Sequence, residues 1–409
     1  MKKIYSSLKK MMALVIAIAL PLFASSAPKQ ATVSAEIKGL VNDTVYVIHA
    51  DYSTFESTEG KGEFITAKEG RFVYNIQVSS VTQVIFIPAK FFHKRDGGGH
   101  FFVEGGLITL FLTPGSQIEV TGSVEPNFIN YSVRGSTVNE TYAAHRIINK
   151  ISIVKGDSLD IFQNSYPFSS KVSPTGEEWS KEEKEEFFQK IFDERRAFSR
   201  QVGKQNLAYA KANYDQDLAA YYLVRMSLDT FGVYYDKLTI SVKNGIFKPL
   251  LNRNLAQYSK YKEHLENQKK IQAGVQAPDF TLKALSGKDF KLSSMKGKYV
   301  VLDFWGSWCP PCIKGFPKMK KYYEKYKSQV EFIGISCRDK KDVWRKSVEK
   351  HQLDWIQVIN NEDKNKDVSV LYAVDSYPYK IILDEHRKIV AIFSGETEDF
   401  YKKLDEIFK

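Results

Sequence analysis

Two cysteines separated by two prolines, Cys309-Pro310-Pro311-Cys312, are the residues of this 409-residue chain best placed to do chemistry. A dithiol at that spacing can close to a disulfide and reopen, exchanging two electrons with another thiol pair. The surroundings matter as much as the spacing. The apolar run YVVLDFW just before the pair reads as a buried strand, and the residues from Pro311 to about Ser328 read as a helix. Cys309 therefore lies at a helix N-terminus, where unpaired backbone N–H groups and the positive end of the helix dipole stabilise a thiolate. Pro310 and Pro311 have no N–H, so the donors open to the Cys309 sulfur begin at Cys312 and Ile313. Proline suits the first helical position, and two in a row stiffen the loop between the sulfurs. Cys309 is expected to be the exposed nucleophile, and Cys312, one turn inward, the shielded resolving thiol.

Other chemistries fit these residues less well. A zinc site needs four ligands. Only Cys337 remains as a further cysteine, and none of the seven histidines is spaced as a ligand pair. Covalent haem would need a histidine directly after the second cysteine, where Ile313 stands. A purely structural bridge across two residues closes a very short loop and is a poor staple. Redox exchange is the favoured reading, with structural and metal roles as the alternatives. Cys337 closes the strand EFIGISC and reads as a buried free cysteine packing as a small hydrophobe.

The elements that must hold this pair alternate from about Gly274 onward. FTLKAL and DFKL form a hairpin through Ser286-Gly287-Lys288. The strand YVVLDFW is apolar throughout, which suits a central position covered on both faces. After the cysteine helix come the strand EFIGISC, the helix KDVWRKSVEKHQL, a short helix near Val368 to Val374, the strands YKIILDE and KIVAIFS, and a last helix with Phe400, Leu404, Ile407 and Phe408 on one side. The order is βαβ followed by ββα. Upstream, from about Ala31 to Arg134, ATVSAEIKGL, DTVYVIHA, GRFVYNIQV, TQVIFIPA, HFFVEGGLITLFLT and SQIEVTGSV read as short strands of a sandwich-like all-β domain. Between the two, Ser136 to Lys270 carries a helical period without a chemical motif, and Ser180 with Glu183 makes a capping box. The domains expected are thus 27–135 (β-rich), 136–273 (helical) and 274–409 (α/β).

The first 26 residues read as an address. Lysines, the thirteen apolar residues Met11 to Phe23, and then small residues make a secretory signal peptide with a cut after Ser26. That run is shorter than the ~20 residues of a bilayer span. No cysteine lies near the cut, so a lipid anchor is not expected. The formal charge of +11 falls to +7 once Lys2, Lys3, Lys9 and Lys10 are set aside, too little to argue for nucleic acid. Hydrophobic residues at 43% and charged residues at 26% exclude wholesale disorder.

The run DFWGSWCPPC, Pro317 after it, and SYPY before the strand KIILD resemble a thioredoxin-fold domain. The lead-in APDFTLKALSGKDFKLSSMKGKYVVLDFWGSWCPPC is similar to the TlpA/ResA branch of exported thiol–disulfide oxidoreductases, over essentially all of 274–409. The β-rich front resembles, more loosely, a small domain of unknown function that precedes such domains. The resemblance implies that Cys309 and Cys312 are the redox pair and that Trp308 flanks the nucleophile. It also implies that Pro378 is the cis-proline facing the disulfide, that Tyr377 beside it contacts substrate, that Pro317 kinks the helix, and that Asp303 is the buried acid. In a strand as apolar as YVVLDFW, desolvation should raise the Asp303 pKa above ~3.9, toward the range where acid–base catalysis works. Two positions depart from the branch. Its helix carries a glutamate three residues after the second cysteine, where this chain has Gly315, and the cis-proline is flanked by the bulky Tyr377 and Tyr379.

The function so implied is a reductase or isomerase of protein disulfides in the periplasm, needing no bound cofactor or metal. Its partners would be protein disulfide substrates and a thiol-donating protein of the inner membrane, because that compartment holds no soluble reducing buffer. The rival from another class is a binding or adhesin-like module with a regulatory thioredoxin-fold domain.

Overall fold

Strict alternation builds the first part of the chain. In β1 (Lys29–Lys38), Ala31, Val33, Ala35 and Ile37 are buried and the residues between them face outward, the period of a strand with one covered face. This is a computed structural model, describing residues 27–409 apart from 59–61, 96–98, 166–171, 362 and 364–365. The signal segment read over residues 1–26 lies outside the described residues. β1 joins β4 (Arg71–Val78), β9 (Gln117–Glu125) and β10 (Phe128–Arg134) in one sheet of order β10-β9-β1-β4. A second sheet, of order β3-β2-β5-β8, contains β2 (Asp43–Asp51), β3 (Glu63–Ala67), β5 (Thr82–Pro88) and β8 (Ile108–Leu112). The two inner faces share one apolar core, in which Val33, Ile118 and Ile129 meet Val47, Phe86 and Leu110. Two short strands, β6 (Phe92–Lys94) and β7 (His100–Phe102), pair separately.

The segment HFFVEGGLITLFLT is therefore two strands, broken by a 3-10 turn at Glu104–Gly106. β3, β6 and β10 lie where the sequence reading names no strand. β8 is buried along its whole length, because Ile108, Leu110 and Leu112 face the sandwich while Phe111 faces the helices.

Those helices are α1 (Thr137–Ile148), α2 (Lys150–Ser165), α3 (Lys181–Ala212), α4 (Asp217–Leu223), α5 (Leu228–Tyr235), α6 (Ile240–Lys243) and α7 (Lys248–Lys270). The capping box opens α3, with Ser180 and Glu183 each accepting from the other's backbone N–H. Asn139 of α1 closes the open edge of β8, donating to the Phe111 carbonyl at 2.9 Å and accepting its N–H at 2.7 Å. Arg146, also on α1 and buried, donates to the carbonyls of Ile129, Glu104 and Gly105 at 2.6–3.0 Å, with its guanidinium over the Phe128 ring. Phe111, Tyr221, Phe247 and Leu251 continue the apolar packing into the helices. The chain divides into two compact units, Met1–Tyr258 and Ser259–Lys409. Among the described residues no helix is long and apolar enough to cross a membrane.

The second unit is a seven-stranded sheet of order β12-β11-β15-β14-β13-β16-β17. Its strands are β11 (Thr281–Ala284), β12 (Asp289–Lys291), β13 (Tyr299–Trp305), β14 (Val330–Ser336), β15 (Ile356–Ile359), β16 (Tyr379–Leu383) and β17 (Ile389–Ser394). β13, β14 and β15 run parallel, β16 returns antiparallel to β13, and β17 pairs antiparallel with β16. The helices are α8 (Pro310–Tyr326), α9 (Lys341–His351), α10 (Val368–Leu371) and α11 (Glu398–Phe408). β15 is the strand the sequence reading lacks. Central β13 alternates between two cores: Val300, Leu302 and Phe304 enter one, and Val301 and Trp305 enter the other with residues of α8, α9 and α11. By that alternation Asp303 points to the α8 side. This is the thioredoxin-like α/β arrangement.

Candidate active site

The site begins where β13 ends. Gly306 leaves the strand at a place where a Cβ would meet the Trp308 indole nitrogen at 2.5 Å and the Cys337 carbonyl at 3.1 Å. Only glycine leaves room for the Trp308 Nε1–H to donate to that carbonyl, at 3.0 Å. Asp339 holds the same loop, accepting the Ser307 N–H at 2.9 Å and the Ser336 hydroxyl at 2.6 Å. The loop between strand and helix is thereby tied to the end of β14.

Cys309 is the N-cap of α8, with Pro310 and Pro311 as the first helical residues. Cys309 and Cys312 form a disulfide, and the Cys312 N–H donates to Cys309 Sγ at 3.3 Å. The first free N–H of the helix is thus aimed at the sulfur that caps it. The exposure expected of Cys309 does not hold in this oxidised form: Cys309 is 3% exposed and Cys312 1%. Both sulfurs sit in the apolar cluster that contains Trp305 and Phe316, against which Tyr377 packs. Trp308, at 45% exposure, is the group that faces solvent. Pro317 lies inside α8, which continues past it to Tyr326.

The loop before β16 brings in the remaining aromatic wall. The Tyr377–Pro378 peptide is cis, and Pro378 is buried. The Tyr377 ring meets Trp308 edge-on at 5.2 Å between centroids, and the exposed Arg338 guanidinium lies 5.4 Å from the Tyr377 ring centre and 5.8 Å from that of Trp308. The Tyr377 hydroxyl faces the Cys337 thiol and Ser369 without reaching hydrogen-bond geometry to either. Cys337 is a buried free thiol, and burial pushes its pKa up to about 12. Such a sulfur is held as the neutral thiol.

Asp303 is placed in a different company from the sulfurs. It is 1% exposed, directly opposite Lys380 in the β13–β16 register, and Lys380 is equally buried. Lys380 Nζ lies 3.6 Å from Asp303 Oδ1 and 2.8 Å from Glu396 Oε2. Glu396, beyond the end of β17, also accepts from the Tyr401 hydroxyl. Burial raises the Asp303 pKa above the usual carboxylate range, with Lys380 pulling the other way. Sequence reasoning found Asp303 but neither Lys380 nor Glu396. The signal for Lys380 was a lone cation in the apolar run YKIIL, facing a run with a lone acid.

Residues 273–393 match the AhpC/TSA family. The thiol–disulfide oxidoreductase ResA of Halalkalibacterium halodurans is 33% identical over 154 residues, which are 37% of this chain and 86% of that protein. The thioredoxin-like protein YneN of Bacillus subtilis is 34% identical over 151 residues, 36% of this chain and 86% of that protein. Among solved structures, the thioredoxin domain of a thiol–disulfide oxidoreductase from Bacteroides vulgatus is 32% identical, spanning 34% of this chain and 99% of that one, with a TM-score of 0.32. A disulfide-bonded Cys-X-X-Cys at a strand-to-helix junction, within a stretch that covers most of such relatives, places this chain in the ResA-like family of thiol–disulfide oxidoreductases.

Proposed function

We propose that this chain is exported to the periplasm and there reduces or isomerises disulfides of other proteins. The observation that carries the reading is the Cys309–Cys312 pair at the start of α8, with the Cys312 N–H turned to Cys309 Sγ at 3.3 Å. That donor and the helix dipole favour a thiolate on Cys309 over one on Cys312. The Cys309 thiolate attacks a substrate disulfide, forms a mixed disulfide and releases one substrate thiolate, which takes up a proton. Cys312 then loses its proton and attacks Cys309 Sγ. The mixed disulfide breaks, the second substrate thiol leaves, and the Cys309–Cys312 bond closes. The substrate gains two electrons and two protons, and the enzyme is left oxidised.

Trp308, Tyr377 and Pro378 line the approach of the substrate chain, and Asp303 assists the loss of the Cys312 proton. A membrane protein with a reduced thiol pair returns the electrons, so the cycle needs no bound cofactor. The leader pattern in residues 1–26 supports export. The test is trapping. A Cys312→Ser variant should accumulate mixed disulfides with partner proteins, and Cys309→Ser almost none. Greater capture by Cys309→Ser would reverse the roles.

A further inference from the structure

The branch this chain resembles places a glutamate on the active-site helix three residues after the second cysteine, and here that residue is Gly315. The space is not empty. A Cβ built on Gly315 would lie 2.4 Å from Glu396 Oε2 and 2.5 Å from Glu396 Cδ. A carboxylate arriving from beyond β17 is therefore laid against the backbone of α8, one turn after Cys312. Residues three apart on a helix have Cβ atoms about 5–6 Å apart and share a face.

We propose that Glu396 supplies, from outside the helix, the carboxylate that accepts the Cys312 proton during resolution, and that the absence of a side chain at Gly315 is what admits it. This deepens the function proposed above and rests on it. In the resolving step the Cys312 thiol passes its proton to Glu396, and the thiolate attacks Cys309 Sγ. The Cys309–substrate bond breaks, and the substrate sulfur leaves as a thiolate that is protonated by water. Glu396 returns its proton to water before the next cycle.

The surroundings suit that task. Glu396 keeps 21% side-chain exposure, whereas Asp303 keeps 1%, so Glu396 is the carboxylate of the pair that can exchange a proton with solvent. Two donors hold it, and the Asp303 carboxylate on the far side of Lys380 bears on it as a like charge. Lys380 of β16 holds Oε2 at 2.8 Å, and the Tyr401 hydroxyl of α11 holds Oε1. Lys318 of α8 lies over the Tyr401 ring and pairs with Glu398 rather than with Glu396. Asp303 acts through Lys380. It attracts the ammonium from the β13 side across 3.6 Å, beyond hydrogen-bond distance, and so biases where Glu396 stands, which makes it a positioning residue.

The reaction of the reduced full-length protein with Ellman's reagent resolves the two steps. The attack of Cys309 releases one thionitrobenzoate, and resolution by Cys312 releases the second. Loss of the first phase in the unaltered protein would sink the general reading, whereas the rate of the second phase relative to the first tests Glu396. In Glu396→Gln the second phase should slow roughly 100-fold at neutral pH, the lower end of what a positioned base contributes, and should recover as pH rises. Moving the carboxylate back to the helix, in Glu396→Ala with Gly315→Glu, should restore both rate and pH profile. Gly315→Ala alone should push Glu396 off the helix and slow the second phase with every carboxylate still present. An unchanged second phase in Glu396→Gln overturns the proposal. So does a slowed phase that neither the relocated glutamate restores nor Gly315→Ala reproduces.

Discussion

Lys380 offers the sharpest test of how this site is held together. It is 1% exposed and serves two carboxylates, Asp303 at 3.6 Å and Glu396 at 2.8 Å, of which the first is equally buried. Replacing it by methionine keeps most of the length of the side chain and removes the charge. Breaking a buried ionic contact from one side strands the partner, at a cost of about 3–5 kcal/mol. Against a typical domain stability of roughly 5–15 kcal/mol that loss is large. Its pH dependence has a fixed sign. Burial already raises the Asp303 pKa, and Lys380 is the main influence lowering it. Without Lys380 the folded-state value rises further above the unfolded value of ~3.9. Between those two values the native state holds more protons than the unfolded state, so stability falls as pH rises. The deficit of Lys380→Met should therefore be small near pH 4 and grow toward neutrality. Four of the five tryptophans, Trp305, Trp308, Trp344 and Trp355, lie in 259–409, so urea melts followed by fluorescence report mainly on this unit. Adding Asp303→Leu should recover much of the loss, because the fully buried charge is then gone and the carboxylate left without its cation, Glu396, keeps 21% exposure to solvent. A neutral-pH cost under about 1 kcal/mol, or one that does not shrink in acid, would refute the reasoning.

Asp303→Asn should slow resolution of the mixed disulfide less than Glu396→Gln does, and equal or greater slowing, measured by rapid mixing across pH, would make Asp303 the acceptor itself. Cys337, with its pKa pushed up to about 12 by burial, should resist iodoacetamide at pH 8.5 in the oxidised native protein and label only in denaturant. Because that value lies above the unfolded thiol's ~8.5, the contribution of Cys337 to stability is complete below about pH 8.5 and is lost as pH climbs toward 12. In the first unit, Arg146→Ala removes the guanidinium donors of the Ile129, Glu104 and Gly105 carbonyls, of which the Glu104 carbonyl keeps the Leu107 N–H. At about 1–3 kcal/mol for each buried group left unpaired, its thermal transition should drop markedly while that of 259–409 stays put.

What the sequence discloses about this fold is what neighbouring residues decide among themselves. The strand-to-helix junction at Cys309 is written in YVVLDFW and the two prolines, and the capping box of α3 in Ser180 and Glu183. The hairpin of β11 and β12 follows from Gly287, which sits at φ 80. Strands fail to show where they are short, as β3 and β15 are, and β10 fails to show although it has seven residues and closes a hairpin with β9. β15 has four residues and is fixed by β14 and β11, and β3 has five and pairs only with β2. The parallel pairing of β1 with β9 leaves no local trace at all. Burial of Cys309 was misread for the same reason. A helix N-terminus is ordinarily exposed, but Tyr377, far along the chain, packs against the cluster that encloses this one.

The acid–base apparatus follows that rule with one instructive difference. Gly315 by itself reads as a loss, a place on the helix where a carboxylate is missing. Glu396, after Gly395 and at the end of a strand, reads by itself as a loop acid. Neither residue says anything about the other until β17 has paired with β16 and α11 has docked on α8, for only then is the Glu396 carboxylate brought to the one turn of α8 that has no Cβ. The relation is reciprocal. A side chain at 315 would expel Glu396, and a shorter residue at 396 would leave the glycine turn bare and Lys380 with Asp303 alone. Function at this site therefore constrains a pair of positions. A survey of the helix alone would class this enzyme as lacking its acid, whereas the three-dimensional site holds a carboxylate at the matching turn, supplied by a different element and anchored by a buried lysine.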